Sequence, residues 1–125
     1  VLMPGTEELM NIAGEDTVEE ALEKLFRNAK LEIVALKKGS KGCSIITRDE
    51  RFDLGIYPVE VQDVTGAGDS FDAAFLCSLM DNLPLRECAK IASAAAALNS
   101  AAFGPMEGAI SPENVRKLIR DSESE

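Results

Sequence analysis

The chain contains no histidine at all. This absence excludes serine–histidine and cysteine–histidine nucleophile pairs, zinc sites built on imidazole ligands, and histidine general bases. Any chemistry that this sequence performs must therefore come from carboxylates and from backbone groups.

Positive charge is also scarce, because 13 lysines and arginines stand against 22 acidic residues, for a net charge of −9. Nucleic acids and anionic membranes require a positive face, so we expect neither as a partner. A Mg²⁺-bound nucleotide remains compatible with this charge.

No apolar run approaches the ~20 residues of a membrane span, and no basic leader precedes an apolar stretch. A soluble protein is expected.

The three cysteines, Cys43, Cys77 and Cys88, are odd in number and have no C-x-x-C spacing. They lie in apolar segments, which predicts small core residues in a reducing compartment. The expected location is therefore the cytoplasm.

The 125 residues, 46% of them hydrophobic, suffice for one domain with a core but are few for an enzyme with two substrates. The first residues, 1–5, resemble the end of a buried strand that runs into a loop. We therefore expect the chain to be a portion of a longer protein.

Strand patterns dominate the first half of the chain and helical patterns the second. Helices are predicted from Thr6, from Asp16, and over Ala67–Asp81, Leu85–Ala102 and Pro112–Arg120, the last with Ser111 as N-cap. The apolar run Leu31–Leu36 is typical of a strand buried in a parallel sheet. Two further strands, Cys43–Thr47 and Phe52–Val61, are predicted to pair antiparallel. Helices that alternate with a buried strand indicate an α/β architecture.

The most informative segment is Asp63-Val64-Thr65-Gly66-Ala67-Gly68-Asp69-Ser70. Its glycines let the backbone bring N–H groups near an anion, and the helix predicted to follow would aim its positive end at that anion. Asp69 lies in the first helical turn, within reach of a hydroxyl presented to a bound phosphate. The alternative is a glycine-rich turn with Asp69 as an ordinary helix N-cap.

Two common phosphate-binding motifs do not fit this segment. A Walker A loop needs a lysine after its final glycine, where Asp69 stands. A dinucleotide-binding fingerprint needs a third glycine where Phe71 stands. What remains is an anion hole made of the N–H groups of Gly66, Ala67 and Gly68, followed by Asp69.

The string Asp-x-Thr-Gly-Ala-Gly-Asp-Ser-Phe resembles the signature of the ribokinase-like (PfkB-type) carbohydrate kinases. The order of elements also resembles that family's C-terminal half. The resemblance implies a partial ribokinase-like three-layer α/β/α sandwich, in which residues 1–125 are the nucleotide-binding and catalytic portion and the N-terminal half is absent. It implies ATP-dependent phosphorylation of a hydroxyl of a sugar, sugar acid or nucleoside. The alternatives are a non-catalytic nucleotide-binding or regulatory relative and a purely structural α/β module.

The resemblance also implies the roles of individual residues. Asp69 would be the catalytic base, and the amides of Gly66, Ala67 and Gly68 would hold the transferring phosphate. An ordinary aspartate is a weak base, so it would accept the proton late in the reaction.

Further ligand-binding residues are implied by the same resemblance. The nucleotide-binding candidates are Gly39, Gly42, Lys37, Ser93, Asn99 and Gly104. The metal candidates are Glu8 near Mg²⁺, and Asp63 and Thr65 for a monovalent cation. The family's usual Asn-x-x-Glu reads Gly5-Thr6-Glu7-Glu8 here, so only the carboxylate is kept.

Several of these candidates have simpler interpretations. The Gly39 to Gly42 segment is also what a hairpin connection looks like, and Ser93 suits a close helix interface. Glu8 could be a capping-box acid behind Thr6.

The partners implied are ATP and a small sugar-like substrate, with Mg²⁺ as the metal. Sheet edges that the absent half would cover are expected to promote self-association, such as a homodimer.

Overall fold

The computed structural model describes residues 1–57, 66–100 and 112–123. It contains two compact units, Val1–Gly55 and Ile56–Glu125. Among these described residues, no helix is both long enough and apolar enough to cross a membrane.

The first unit opens with two short helices that begin close to their predicted starts. Helix α1 (Thr6–Ala13) ends at Gly14, whose φ of 69° is in the left-handed region that favours glycine. Helix α2 (Val18–Leu25) begins behind Thr17, whose side chain accepts a hydrogen bond from the N–H of Glu20.

Three strands follow as an antiparallel meander in the order β1 (Val34–Lys37), β2 (Cys43–Ile46) and β3 (Arg51–Leu54). The predicted antiparallel pairing of the second and third strands is confirmed. The expectation of a parallel sheet around the first strand is wrong on one side, because β1 pairs antiparallel with β2. On its other side β1 has parallel bridges to Leu2 and Gly5. Both edges of β1 are therefore paired.

The observed start of β1 and the observed end of β3 differ from the predicted ones. Residues 28–31 form a turn in which the N–H of Leu31 bonds to the carbonyl of Asn28 at 3.1 Å, so β1 starts only at Val34. Strand β3 ends at Leu54. Residues 55–57 of its predicted extent are not strand, and residues 58–61 lie outside the described residues.

The core of the first unit lies between the two helices and the sheet. Its buried members are apolar, and each large one contributes roughly 1.5–3 kcal/mol of burial free energy. They are Leu9, Ala13, Ala21, Leu22, Val34, Leu36 and Ile46.

The second unit is helical in its described parts, with α3 (Ala67–Met80), α4 (Leu85–Ser100) and α5 (Pro112–Glu123). The short connection Asp81–Pro84 makes α3 and α4 an antiparallel hairpin. Helix α4 presents small buried side chains, including Ala89 and Ala92, which allow close helix packing. The predicted N-cap Ser111 lies outside the described residues, as do Ala101 and Ala102.

The three cysteines are all free, and two of them, Cys43 and Cys88, are buried as predicted. Burial raises the pKa of the Cys88 thiol. The prediction of a core position is wrong for Cys77, which is exposed. The buried face of α3 follows Phe71, Phe75 and Ser78 at helical spacing, and Cys77 lies off that face.

Arg48 links the β2–β3 turn to the end of α2. Its guanidinium donates to the carbonyls of Phe26 at 2.6 Å, Asn28 at 2.7 Å and Leu31 at 3.3 Å. It also lies 5.6 Å from the centre of the Phe26 ring. One side chain thus satisfies several carbonyls in the segment between α2 and β1.

Replacing Arg48 by alanine should therefore destabilise the first unit by about 1–3 kcal/mol, because hydrogen bonds to a charged donor are lost together. Urea denaturation of the chain measures this loss. Arg27→Ala is the matched control, since the Arg27 side chain forms an exposed 3.8 Å ion pair with Glu23, and its loss should change stability by less than about 0.5 kcal/mol. Equal losses in the two variants would contradict the role given to Arg48.

Candidate active site

The N-terminus of α3 has the geometry of an anion-binding turn. Gly66 is its N-cap, with φ 83° and ψ −2° in the left-handed region. The N–H of Ser70 bonds to the carbonyl of Gly66 at 2.9 Å and closes the first turn. The N–H groups of Ala67, Gly68 and Asp69 precede this bond, so they have no acceptor within the helix. They are donors at the positive end of a helix dipole.

The first helical amides coincide only in part with the predicted set of donors. The sequence predicts the amides of Gly66, Ala67 and Gly68, whereas the first three helical amides are those of Ala67, Gly68 and Asp69. Gly66 instead supplies the left-handed cap, a conformation that residues with a Cβ adopt at a cost.

Asp69 occupies the third helical position and is exposed. The alternative interpretation of Asp69 as the helix N-cap is wrong, because Gly66 has that position. A carboxylate in the first turn is favoured by the helix dipole. Its exposure leaves it accessible to a hydroxyl-bearing ligand.

Asn99, near the end of α4, lies against this turn. Its Oδ1 accepts a hydrogen bond from Ser70 Oγ at 3.2 Å. Its amide atoms stand 3.6 Å from where a Cβ on Gly66 would be. Ser93, the other α4 candidate, is half-buried and lies roughly 9 Å nearer the start of the helix. The sequence analysis did not assign a role to Ser70. The similar predicted lengths of the two helices could have placed it opposite Asn99 in a helical hairpin.

In the first unit, the Gly39 to Gly42 segment, predicted as a nucleotide loop, connects β1 and β2 as a hairpin. This agrees with the simpler interpretation of the segment. A short 3₁₀ turn, Gly39–Lys41, is closed by a 3.1 Å bond from the Gly42 N–H to the Gly39 carbonyl, and the residues on either side of it are joined by a 2.8 Å bond from the Lys38 N–H to the Gly42 carbonyl. Gly39 has φ 59°, and a Cβ there would meet nothing within 4 Å. Gly42 has φ 92°, and a Cβ there would stand 1.9 Å from the Leu54 carbonyl oxygen. Gly42 serves packing, whereas Gly39 leaves open space for a ligand.

A polar cluster that the sequence did not reveal lies beside this hairpin. Ser44, fully buried on β2, is paired in register with Asp53 on β3. Ser44 Oγ donates to Asp53 Oδ1, and Lys38 Nζ lies 3.4 Å from the same oxygen. The Ser44 hydrogen bond is the main cause that lowers the pKa of Asp53; burial opposes it, and Lys38 adds to it. The cluster fixes the ammonium of Lys38, whereas the predicted lysine was Lys37 on β1.

Glu8 is the one predicted metal candidate that the structure describes. It is exposed, and its Oε1 accepts a hydrogen bond from the N–H of Gly5 at 3.2 Å. This is the capping interaction of its simpler interpretation, with Gly5 as the N-cap. Within the described residues, no three histidine, cysteine or acidic side chains converge to hold a metal. A single exposed carboxylate still suits Mg²⁺, which keeps several waters and phosphate ligands. Asp63, Thr65 and Gly104 lie outside the described residues.

Residues 1–112 match the pfkB family carbohydrate kinases. The chain belongs to this family. A curated relative, probable fructokinase-4 of Arabidopsis thaliana, is 33% identical over 129 residues, which cover 96% of this chain and 39% of that protein. The chain therefore spans about two fifths of the length of this relative.

Solved structures of the pfkB kinases give the same picture. Arabidopsis thaliana ribokinase complexed with ribose and ATP matches with a TM-score of 0.81 and 31% identity, over 95% of this chain and 40% of that one. An Escherichia coli structure assigned to ribokinase II, with ATP and Mg²⁺, matches with a TM-score of 0.87 and 30% identity, over 95% and 38%. The predicted partial ribokinase-like α/β fold is confirmed.

The two hairpin glycines should respond differently to alanine. Gly39→Ala should cost about 1–2 kcal/mol, because only the left-handed conformation opposes it. Gly42→Ala should cost clearly more, at least about 3 kcal/mol, because strain and overpacking against the Leu54 carbonyl add together. Urea denaturation compares the two, and equal losses would show that Gly42 is not a packing glycine.

Ser44→Ala should raise the pKa of Asp53 toward its usual value of 3.8, because the hydrogen bond that lowers it is removed. A lowered folded-state pKa adds stability that is fully present above the unfolded value and is lost as the pH falls through the folded value. The native chain should therefore hold this contribution at neutral pH and lose it progressively as the pH falls below 3.8, and Ser44→Ala should lack the largest part of it. NMR titration of the Asp53 carboxyl measures the shift. Ser78→Ala, at a buried serine bonded to the Ala74 carbonyl, is the control and should leave Asp53 unchanged.

Proposed function

We propose that this chain supplies the catalytic aspartate and ATP-binding residues of a kinase that phosphorylates a hydroxyl of a sugar, sugar acid or nucleoside. The observation that carries the proposal is the first turn of α3, where N–H groups without an acceptor inside the helix and the exposed Asp69 carboxylate occur together. Membership of the pfkB family supports transfer to a carbohydrate. Because the match covers only 39% of the fructokinase relative, the whole reaction is proposed for the complete gene product.

The first turn of α3 provides what phosphoryl transfer needs. The acceptor hydroxyl oxygen bonds to the γ-phosphorus of ATP, the bond from that phosphorus to the bridging oxygen breaks, and ADP leaves. Asp69 orients the hydroxyl and takes its proton late. The N–H groups of Ala67, Gly68 and Asp69 donate to phosphate oxygens, where charge develops. A loose transition state asks mainly for such positioning and charge stabilisation.

The first unit supplies residues for the nucleotide by the same proposal. The open backbone at Gly39 and the ammonium of Lys38, fixed by Asp53, are suited to phosphate oxygens. Gly42 and Lys37 would shape this loop. Glu8 would hold Mg²⁺, which neutralises phosphate charge when bound. The ATP- and Mg²⁺-bound relatives support both ligands.

The remaining assignments rest on the family resemblance. Ser93 and Gly104 would border the nucleotide, and Asp63 and Thr65 would hold a monovalent cation. A homodimer and a cytoplasmic location also remain predictions.

Asp69→Asn should lower the turnover number of the complete gene product by about 10²–10⁴-fold, because the acceptor of the hydroxyl proton is lost. The dissociation constant for MgATP should change little, since the amide donors remain. Steady-state kinetics with a panel of sugars, together with calorimetry of MgATP binding, measures both. Asp81→Asn is the matched control, because it removes the same charge about 18 Å further along the helix axis.

Three outcomes would overturn parts of the proposal. Full turnover in Asp69→Asn would remove Asp69 as the base. A native protein that binds MgATP but phosphorylates no sugar or nucleoside would be a non-catalytic relative, in keeping with glycine at position 5. A native protein whose thermal unfolding is not shifted by MgATP would have only a structural turn at Gly66.

A further inference from the structure

We infer that Asn99 is a positioning residue that holds the catalytic turn of α3 in shape, an inference that rests on the proposed function. Asn99 lies near two points of this turn: its Oδ1 accepts a hydrogen bond from Ser70 Oγ, and its amide atoms stand 3.6 Å from where a Cβ on Gly66 would be. The residues between those points are Ala67, Gly68 and Asp69. They are the proposed phosphate donors and the proposed base, so Asn99 supports both ends of the segment that performs the chemistry.

The helical hairpin explains how a residue distant in sequence reaches this turn. Because α3 and α4 run antiparallel through the short connection Asp81–Pro84, the end of α4 lies beside the start of α3. The Ser70–Asn99 hydrogen bond, across 29 residues, is partly buried. The small residues of α4 allow the helices to approach closely enough for this bond.

The first turn of α3 depends on a side chain from another helix because its N-cap residue has no side chain. N-cap residues usually fix the first turn with their own oxygen, but Gly66 makes no side-chain capping bond. Glycine can also adopt many other combinations of φ and ψ, so the residue itself does not fix the left-handed conformation. The Asn99 amide, bonded to Ser70 and lying near Gly66, restricts the turn to one geometry. Preorganised donors are effective because they need no rearrangement during the reaction.

This role differs from the nucleotide contact that the family resemblance implies for Asn99. A side chain that contacts the nucleotide base would mainly set the KM for ATP and the preference for ATP over GTP. A side chain that positions the turn would mainly set kcat, because the turn acts on the transferring phosphate.

The test compares Asn99→Ala and Asn99→Asp in the complete gene product, with Asn11→Ala, an exposed asparagine of α1, as the matched control. Asn99→Ala should lower kcat on the order of 10-fold or more, with KM for ATP and the ATP-to-GTP preference changed less than about 3-fold. Asn99→Asp keeps the oxygen that accepts from Ser70 but places a negative charge beside the phosphate donors. Its thermal stability should stay near native while its kcat falls below that of the alanine variant.

A role in stability alone would predict the opposite order, because the isosteric aspartate would then be the more active variant. Ser70→Ala and Asn99→Ala should also be non-additive when combined, since they share one hydrogen bond. A higher KM for ATP with unchanged kcat would assign Asn99 to the nucleotide instead. An unchanged kcat and KM in Asn99→Ala would overturn the inference.

A readout without turnover separates this inference from the proposed function. If the native protein phosphorylates nothing, the proposed function fails, but amide NMR of residues 66–70 still tests the positioning. Asn99→Ala should then shift and broaden these signals, whereas Asn11→Ala should not. Unchanged signals would overturn the inference even in an active kinase.

Discussion

The left-handed conformation of Gly66 is the constraint on which the candidate site depends. It lets the chain enter α3 so that the first helical amides, at Ala67, Gly68 and Asp69, are left without helical acceptors. The same turn carries the exposed Asp69 carboxylate. A residue with a Cβ would adopt this conformation only at a cost. The N–H donors and the Asp69 carboxylate would then be held less firmly in their relative positions.

The alanine-rich helix α4 serves this turn through packing. Its small buried residues, such as Ala89 and Ala92, allow α3 to lie close alongside. The close antiparallel arrangement brings Asn99 to Gly66 and Ser70. Packing in the second unit therefore places the Asn99 side chain beside the first turn of α3, which has no side-chain cap of its own.

In the first unit, hydrogen bonds of single polar side chains fix the connections between strands and helices. Arg48 holds the carbonyls that follow α2, and Ser44 with Asp53 fixes Lys38 at the start of the hairpin. Both devices act on loops, where backbone groups lack regular partners. They shape a hairpin whose glycine backbone at position 39 is open to a ligand.

Local patterns in the sequence determined the positions of α1, α2 and α3 and the antiparallel pairing of β2 with β3, because helical periodicity, caps and alternation are local properties. The Asp-x-Thr-Gly-Ala-Gly-Asp string also determined the family. Only the tertiary structure decided that β1 has an antiparallel neighbour, that Cys77 is exposed, that Lys38 and not Lys37 is fixed by Asp53, and that Asn99 meets Ser70. Each of these depends on how segments pack against one another in space, and local patterns in the sequence do not fix that packing.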